Sequence, residues 1–108
     1  MSTMILVSIT CKDRGEAEKI GTHLLKKRLV ACTNVIDPIQ SHYFWPPGKN
    51  RIEEATETIL LCHTIESKYE AIEKEVLKIH SYENPAIYAI PISHVSKKYY
   101  DWLIKETE

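Results

Sequence analysis

The side chains best suited to bind a metal ion are three cysteines and five histidines, scattered along a chain of 108 residues. Soft and borderline cations prefer thiolate and imidazole ligands, and a stable site needs three or four of them to converge. The sequence contains no CxxC, HExxH or HxxxH spacing. The sequence therefore contains no local metal-binding motif, and a metal site would need ligands that are distant in sequence and brought together by the fold.

His80 and Cys11 are the two metal-ligand candidates that we single out. His80 ends a predicted helix and precedes Glu83 by three residues, so the pair offers one nitrogen and one oxygen to a cation. The alternative is electrostatic, because a histidine interacts favourably with a helix C-terminus and Glu83 can pair with a basic neighbour. Cys11 ends the first predicted strand. Two interpretations of Cys11 remain open: it is a metal ligand or redox-active thiol, or it is simply a small, partly buried residue.

The other two cysteines form a possible geometric pair across a predicted β-hairpin. If the hairpin turns near residue 48, Cys32 lies opposite residue 64 and Cys62 becomes its diagonal neighbour on the same face. His63 then points to the other face. We expect both thiols to be structural core, with a redox pair or a soft-metal site as the alternative.

Enzyme motifs are missing from the sequence. It has no GxSxG, P-loop or GxGxxG pattern, and its three glycines are too few for a glycine-rich phosphate cradle. The carboxylates Glu53, Glu54 and Glu57 are predicted to form a charged strand edge. We therefore expect a protein that is not an enzyme.

Composition and charge limit the partners. The formal net charge is −1, and the only basic triplet, residues 26–28, closes a predicted helix, which its charge favours. Nucleic acid is not an expected partner. No secretion signal or apolar run of ~18 residues is present, so no membrane association is expected. An odd number of widely spaced cysteines favours a reducing compartment and hence the cytoplasm.

Hydrophobic periodicity predicts a single α+β domain over residues 1–108, close to the commonest domain size. Strand and helix signals alternate as β-α-β-β-α-β with an additional C-terminal helix. Asp13 with Glu16, and Ser67 with Glu70, match the capping-box pattern that begins a helix. Since βαβ crossovers are right-handed, the simplest topology is the ferredoxin-like sandwich, with two helices on one face of a four-stranded antiparallel sheet.

The central hairpin is too long for its own domain. Two strands of ~14 residues extend about 45 Å, whereas a compact chain of this length is only ~35 Å across. Its far end carries three consecutive aromatic residues, Tyr43 to Trp45. An overhanging aromatic edge favours aggregation unless another chain covers it. We expect pairing between subunits; the alternative is that Pro38 bends the strand back onto its own core.

Four segments of the sequence resemble the CutA divalent-cation tolerance family, in the family's order. Residues 29–36 (LVACTNVI) are similar to its L-A-A-C-V-N-I-I, and the aromatic hairpin with Gly48-Lys49 resembles Y-x-W-x-G-K. Residues 80–85 (HSYENP) resemble H-P-Y-E-x-P, with Ser81 in place of proline, and residues 100–103 resemble Y-L-x-W-L/I. The longer turn leaves open whether Lys49 or Arg51 takes the position of the family lysine.

The resemblance implies a ferredoxin-like subunit in a homotrimer whose edges are joined by the long hairpins. It also implies binding of Cu(II) or another divalent cation near His80, with a relative's copper-binding cysteine within two residues of Cys11. Trp45, Lys49, Tyr82 and Glu83 are then expected to line clefts between subunits that take a cation or small ligand. The alternative function is a trimeric scaffold that acts through protein–protein contacts and has no metal role.

Overall fold

The computed structural model describes residues 2–108 and contains four strands and three α-helices. In chain order these are β1 (Met4–Cys11), α1 (Arg14–Lys26), β2 (Cys32–Phe44), β3 (Ile52–Ile65), α2 (Tyr69–Ile79), β4 (Ile87–Pro91) and α3 (Lys97–Glu106), with a short 3₁₀ turn (Glu66–Lys68) before α2. The predicted β-α-β-β-α-β order with a further C-terminal helix is confirmed.

The four strands form one antiparallel sheet in the order β2-β3-β1-β4, the ferredoxin-like arrangement that the sequence predicts. Pro91, which cannot donate to a strand ladder, ends the edge strand β4. The two middle strands, β1 and β3, carry the apolar runs because both of their faces are covered over much of their length.

Side chains along β1 and β3 point alternately to the two faces of the sheet, so the buried apolar residues form two clusters. Odd residues of β1 and even residues of β3 face α1 and α2 and form the main core, together with apolar side chains of those helices. A smaller cluster on the second face packs α3, through Leu103, against Met4 and Ile65. Within residues 2–108, no helix is long and apolar enough to cross a membrane.

The β2–β3 hairpin extends beyond the rest of the sheet, as the sequence predicts. The β1–β3 ladder ends at the pair Cys11–Thr58, but β3 continues to pair with β2 out to Phe44–Ile52. The molecule accordingly measures 47 × 26 × 23 Å. Gly48, with φ of 75°, makes the tight turn at the tip. In the overhang, β2 is the only strand among residues 2–108 that neighbours β3.

Pro38 bends β2 without ending it. The register changes from Ile36–Ile59 to Ile39–Glu57, so β2 uses one residue more than β3. This is a β-bulge, the usual way in which an antiparallel strand accommodates a proline. The predicted interruption of the strand is therefore a bulge, and the hairpin does not fold back onto its own core.

The two predicted capping boxes differ in outcome. Asp13 caps α1, where its side chain accepts a hydrogen bond from the Glu16 amide at 2.9 Å. The prediction for Ser67 is wrong: α2 begins after Lys68 and has no side-chain cap. Residues 66–68 form a 3₁₀ turn instead, and the preceding strand leads directly into it.

Replacing Asp13 with alanine should lower the free energy of unfolding by about 1 kcal/mol, because the Glu16 amide loses its acceptor at the helix start. Denaturant titration measures the loss. Asp101→Ala is the control, since it removes only a surface ion pair with Lys97, and it should change stability much less. Equal effects of the two substitutions would show that the cap contributes nothing.

Candidate functional site

A cleft of about 620 Å³ lies where the hairpin leaves the four-stranded part of the sheet. Because β1 ends at Cys11, opposite Thr58, the loop between α2 and β4 occupies the space beside the preceding residues of β3, where Tyr82 contacts Glu57. One wall of the cleft comes from β2, and the opposite wall from that loop. Its lining includes Tyr43, Phe44, Trp45, Glu57, Tyr82 and Glu83.

Glu57 and Tyr82 join the two walls. The Tyr82 hydroxyl donates a hydrogen bond to Glu57 Oε2 at 2.6 Å, and Glu57 is only 7% exposed. Burial, and then the hydrogen bond to the carboxylate, raise the pKa of Tyr82. Tyr82 therefore keeps its proton at neutral pH and acts as a hydrogen-bond donor.

The prediction that Glu57 belongs to a charged strand edge is wrong. Glu53 and Glu54 are at least partly exposed on the overhang, but Glu57 is covered because the loop that carries Tyr82 packs over it. The sequence does contain a signal for this difference. Glu57 shares a strand face with Ile59 and Leu61, so it lies at the border of an apolar surface.

Of the four residues predicted to line clefts between subunits, Trp45, Tyr82 and Glu83 line this cleft of the single chain. Their place in a cleft between subunits stays a prediction. Lys49 is not among the lining residues. It lies in the exposed turn, where its amide donates to the Pro46 carbonyl. Arg51 is also outside the lining, and its guanidinium pairs with Glu53. Neither basic residue reaches the cleft because the turn holds both at the hairpin tip.

Behind the cleft, the fold brings both predicted metal ligands together with an unpredicted carboxylate. One ligand atom each from Cys11, Glu16 and His80 lies within 4.8 Å of the other two. Glu83, predicted to accompany His80, is not a member of this cluster. Glu16 takes the place of that carboxylate, and the sequence identified it only as a helix-start residue.

His80 is held by the backbone on both sides of its ring, and its side chain is 1% exposed. Nδ1 accepts a hydrogen bond from the Tyr82 amide at 3.0 Å. Nε2 must then carry the proton, which it donates to the Thr10 carbonyl at 2.8 Å. His80 therefore connects the loop after α2 to the end of β1 through these hydrogen bonds.

Glu16 connects the same loop to the start of α1 by hydrogen bonds. Its carboxylate accepts hydrogen bonds from the amides of Lys12 at 2.9 Å and Ser81 at 2.8 Å, and lies 3.9 Å from His80 Nδ1. Burial opposes ionisation, but these hydrogen bonds outweigh it and lower the pKa of Glu16. The contact needs an amide hydrogen at position 81, which serine has and proline lacks.

Cys11 is fully buried, and within residues 2–108 its thiol donates a single weak hydrogen bond, to the Ile9 carbonyl at 3.7 Å. Burial, followed by the negative charges of Glu16, Asp13 and Glu57, raises the pKa of Cys11 to about 12. The thiol is therefore protonated at neutral pH, which makes it a poor nucleophile.

The predicted pairing of Cys32 and Cys62 on one face is wrong. Cys32 lies opposite His63, and Cys62 lies opposite Thr33. The bulge near Pro38 shifts the register by one residue, and such a shift moves a side chain to the other face of the sheet. The two thiols therefore lie on opposite faces, and Cys32 shares its face with His63.

These features define a class of protein: a ferredoxin-like α+β domain with a cleft at the base of an overhanging hairpin. The model of the CutA1 divalent ion tolerance protein family matches residues 5–106. The chain belongs to this family.

Individual relatives agree over nearly the full length. The chain is 38% identical over 102 residues to the divalent-cation tolerance protein CutA of Archaeoglobus fulgidus, covering 94% of this chain and 96% of that protein. It is 37% identical over 105 residues to CutA of Pyrococcus horikoshii, covering 97% and 99%. The solved structure of the A. fulgidus protein, described as the periplasmic divalent cation tolerance protein CutA, has a TM-score of 0.92 at 37% identity, covering 97% of this chain and 99% of that one.

Proposed function

We propose that this chain forms a non-catalytic homotrimer that binds a divalent cation, Cu(II) foremost, at the cluster of Cys11, Glu16 and His80. The observation that carries the proposal is the convergence of a thiol, a carboxylate and an imidazole within 4.8 Å. The family's name for tolerance of divalent ions agrees with it. Nothing in the sequence suggests that the bound cation performs a reaction.

The donor types suit a borderline cation. Sulfur, imidazole nitrogen and carboxylate oxygen are all ligands of Zn²⁺ and Cu²⁺. In a tetrahedral zinc site, donor atoms lie about 3.5 Å apart, as follows from metal–ligand distances of ~2.0–2.3 Å. The cluster therefore has to contract, and a fourth ligand must come from water or from a neighbouring subunit.

Binding also requires the exchange of existing contacts. Nδ1 is the His80 nitrogen that lies near Glu16, so a cation there replaces the hydrogen bond from the Tyr82 amide. The Cys11 thiol must lose its proton, and its pKa of about 12 makes this costly at neutral pH. Affinity should therefore rise with pH, because fewer protons then compete with the metal.

Titration of Cu(II) and Zn(II) into the purified protein by calorimetry tests the site. We expect His80→Ala to weaken binding by more than the 10- to 100-fold that loss of an outer-shell partner costs, since a ligand itself is removed. His94→Ala is the matched control, because His94 is exposed and its side chain forms, within residues 2–108, a hydrogen bond only with its neighbour Ser93.

The folded state of each variant is checked by circular dichroism, and Cys11→Ala gives a second test if His80→Ala fails to fold. Absent binding, or binding that neither substitution changes, would contradict the metal site. A trimer that binds neither metal would favour the scaffold function instead.

The exposed hairpin supports assembly into a homotrimer. Its edge strand, β2, has no strand partner on its outer side within residues 2–108. Phe44 and Ile52, which lie opposite each other near the tip, are 68% and 66% exposed. Large apolar side chains that are exposed together in this way are typical of a surface that a neighbouring chain covers. The number three follows from the resemblance to the family.

The cytoplasm remains our proposed location. Cys11, Cys32 and Cys62 are all free thiols, as is usual in a reducing compartment. The A. fulgidus structure is described as periplasmic, so location has to be determined for this protein itself.

A further inference from the structure

Glu57 is a buried acidic residue without a cationic partner. Only one of its carboxylate oxygens is hydrogen-bonded within residues 2–108, and the donor is the neutral hydroxyl of Tyr82. No ion pair of that part of the chain includes it. A carboxylate with little exposure to water is costly unless a positive group and further hydrogen bonds compensate it. Within residues 2–108 no fully buried side-chain oxygen or nitrogen lacks a hydrogen-bond partner. The second oxygen of Glu57 is therefore open to the cleft that Glu57 lines, where a ligand can reach it.

The surroundings of Glu57 favour a positive ligand. It lines the 620 Å³ cleft together with Glu83, and no Lys, Arg or His side chain is part of that lining. Four aromatic residues, Tyr43, Phe44, Trp45 and Tyr82, also line the cleft. The face of an aromatic ring attracts cations, and its area also takes up aliphatic carbon.

We propose that the cleft binds a small aliphatic amine in its cationic form. An ammonium group donates to the free oxygen of Glu57, and the aliphatic chain packs against the aromatic wall. Glu83, exposed at the rim, adds a second negative charge that a diamine can use. This inference rests on the proposed role of the cleft as a ligand site, but it needs neither the metal cluster nor a second chain.

The composition of the cleft favours an amine over other ligands. A bare Mg²⁺ or Ca²⁺ ion needs about six or more oxygen ligands, whereas the lining supplies two carboxylates and four of its eleven residues are aromatic. An anion would meet two carboxylates and no cation. The volume lies within the range of about 300–1,000 Å³ that is typical of small-molecule pockets.

Calorimetry with 1,4-diaminobutane tests the proposal, and 1,4-butanediol serves as its neutral counterpart of similar shape. We expect the diamine to bind and the diol to bind at least about tenfold more weakly. Glu57→Gln should weaken diamine binding about 10- to 100-fold, the range for a hydrogen bond to a charged group. Glu54→Gln is the matched control, because Glu54 lies on the other face of β3, where it contacts Gln40 and His42.

A thermal melt separates a ligand role from a structural one. Since Glu57→Gln removes a poorly compensated charge but keeps the shape, we expect a melting temperature equal to that of the original protein or higher. A large decrease would show that Glu57 is needed for folding, and would overturn the proposal. Equal binding of diamine and diol, or no binding of the diamine, would also overturn it.

The outcomes can be told apart from those of the metal and trimer proposals. Particle mass does not depend on Glu57 in those proposals, and Cu(II) binding depends on it only through its charge, the smallest of those that raise the pKa of Cys11. A Glu57→Gln protein that remains trimeric, still binds Cu(II) and binds the diamine as well as the original would contradict the amine site alone. If the assembled protein excludes the diamine, a basic group of a neighbouring subunit is the simplest partner for Glu57, and the amine proposal is wrong.

Discussion

Replacing Phe44 and Ile52 together with glutamate should convert an assembled particle into single chains. Multi-angle light scattering should give three times the chain mass of 12.5 kDa, about 37.5 kDa, for the original protein and 12.5 kDa for the double variant. The two side chains face each other across the hairpin and are more than 60% exposed in one chain. Two charges buried in an interface without partners cost several kcal/mol, whereas on a free surface they cost little.

Leu77→Glu is the control for this experiment. Leu77 lies on α2, outside the hairpin, and is 54% exposed, so a charge there should leave the particle mass unchanged. A mass of 12.5 kDa for the original protein would contradict the argument from the overhanging hairpin. A double variant that keeps its full mass would show that the tip takes no part in assembly.

Replacing Leu60 with alanine should lower the free energy of unfolding by about 2–5 kcal/mol. Leu60 is fully buried on β3, between the ladders to β1 and β2. Helix α1 approaches it so closely at Gly21 that a Cβ atom there would lie 3.2 Å from Leu60 Cδ1. Truncation therefore leaves a cavity between two rigid elements, and a total stability of about 5–15 kcal/mol gives little reserve.

Denaturant titration measures this loss, at one fixed protein concentration because assembly would add to the apparent stability. Leu77→Ala removes the same atoms from an exposed helix position and should change stability by no more than about 0.5 kcal/mol. Similar losses for the two substitutions would contradict the assignment of Leu60 to the tightly packed core.

Much of the fold could be predicted because its signals are local. Alternating and helical periodicity gave the order of the elements, and Asp13 marked the start of α1 as observed. The length of two strands showed that the hairpin must overhang, since reach depends only on residue count. The start of α2 was missed because the 3₁₀ turn after β3 takes up the residues that resembled a capping box.

The candidate site was predictable only in part. The sequence identified His80, Cys11, Tyr82 and Trp45, whose residue types are unusual enough to suggest a role. It did not identify Glu57 as a buried residue of the cleft, because a glutamate on a strand has the same local signature whether water or a loop covers it. The pairing of Cys32 with Cys62 failed because a bulge of one residue changes which face each thiol takes.

By itself, the sequence determined the α+β fold, the order of its elements and the excess length of the hairpin, since these depend on periodicity and length. Only the tertiary structure decided which carboxylates lie beside the candidate site residues. Glu16 reaches His80, and Glu57 reaches Tyr82, across separations of dozens of residues. The physical reason is that the burial and the electrostatic partners of a carboxylate depend on which segments pack over it. For Glu16 and Glu57, these are set only when the loop after α2 packs over the end of β1.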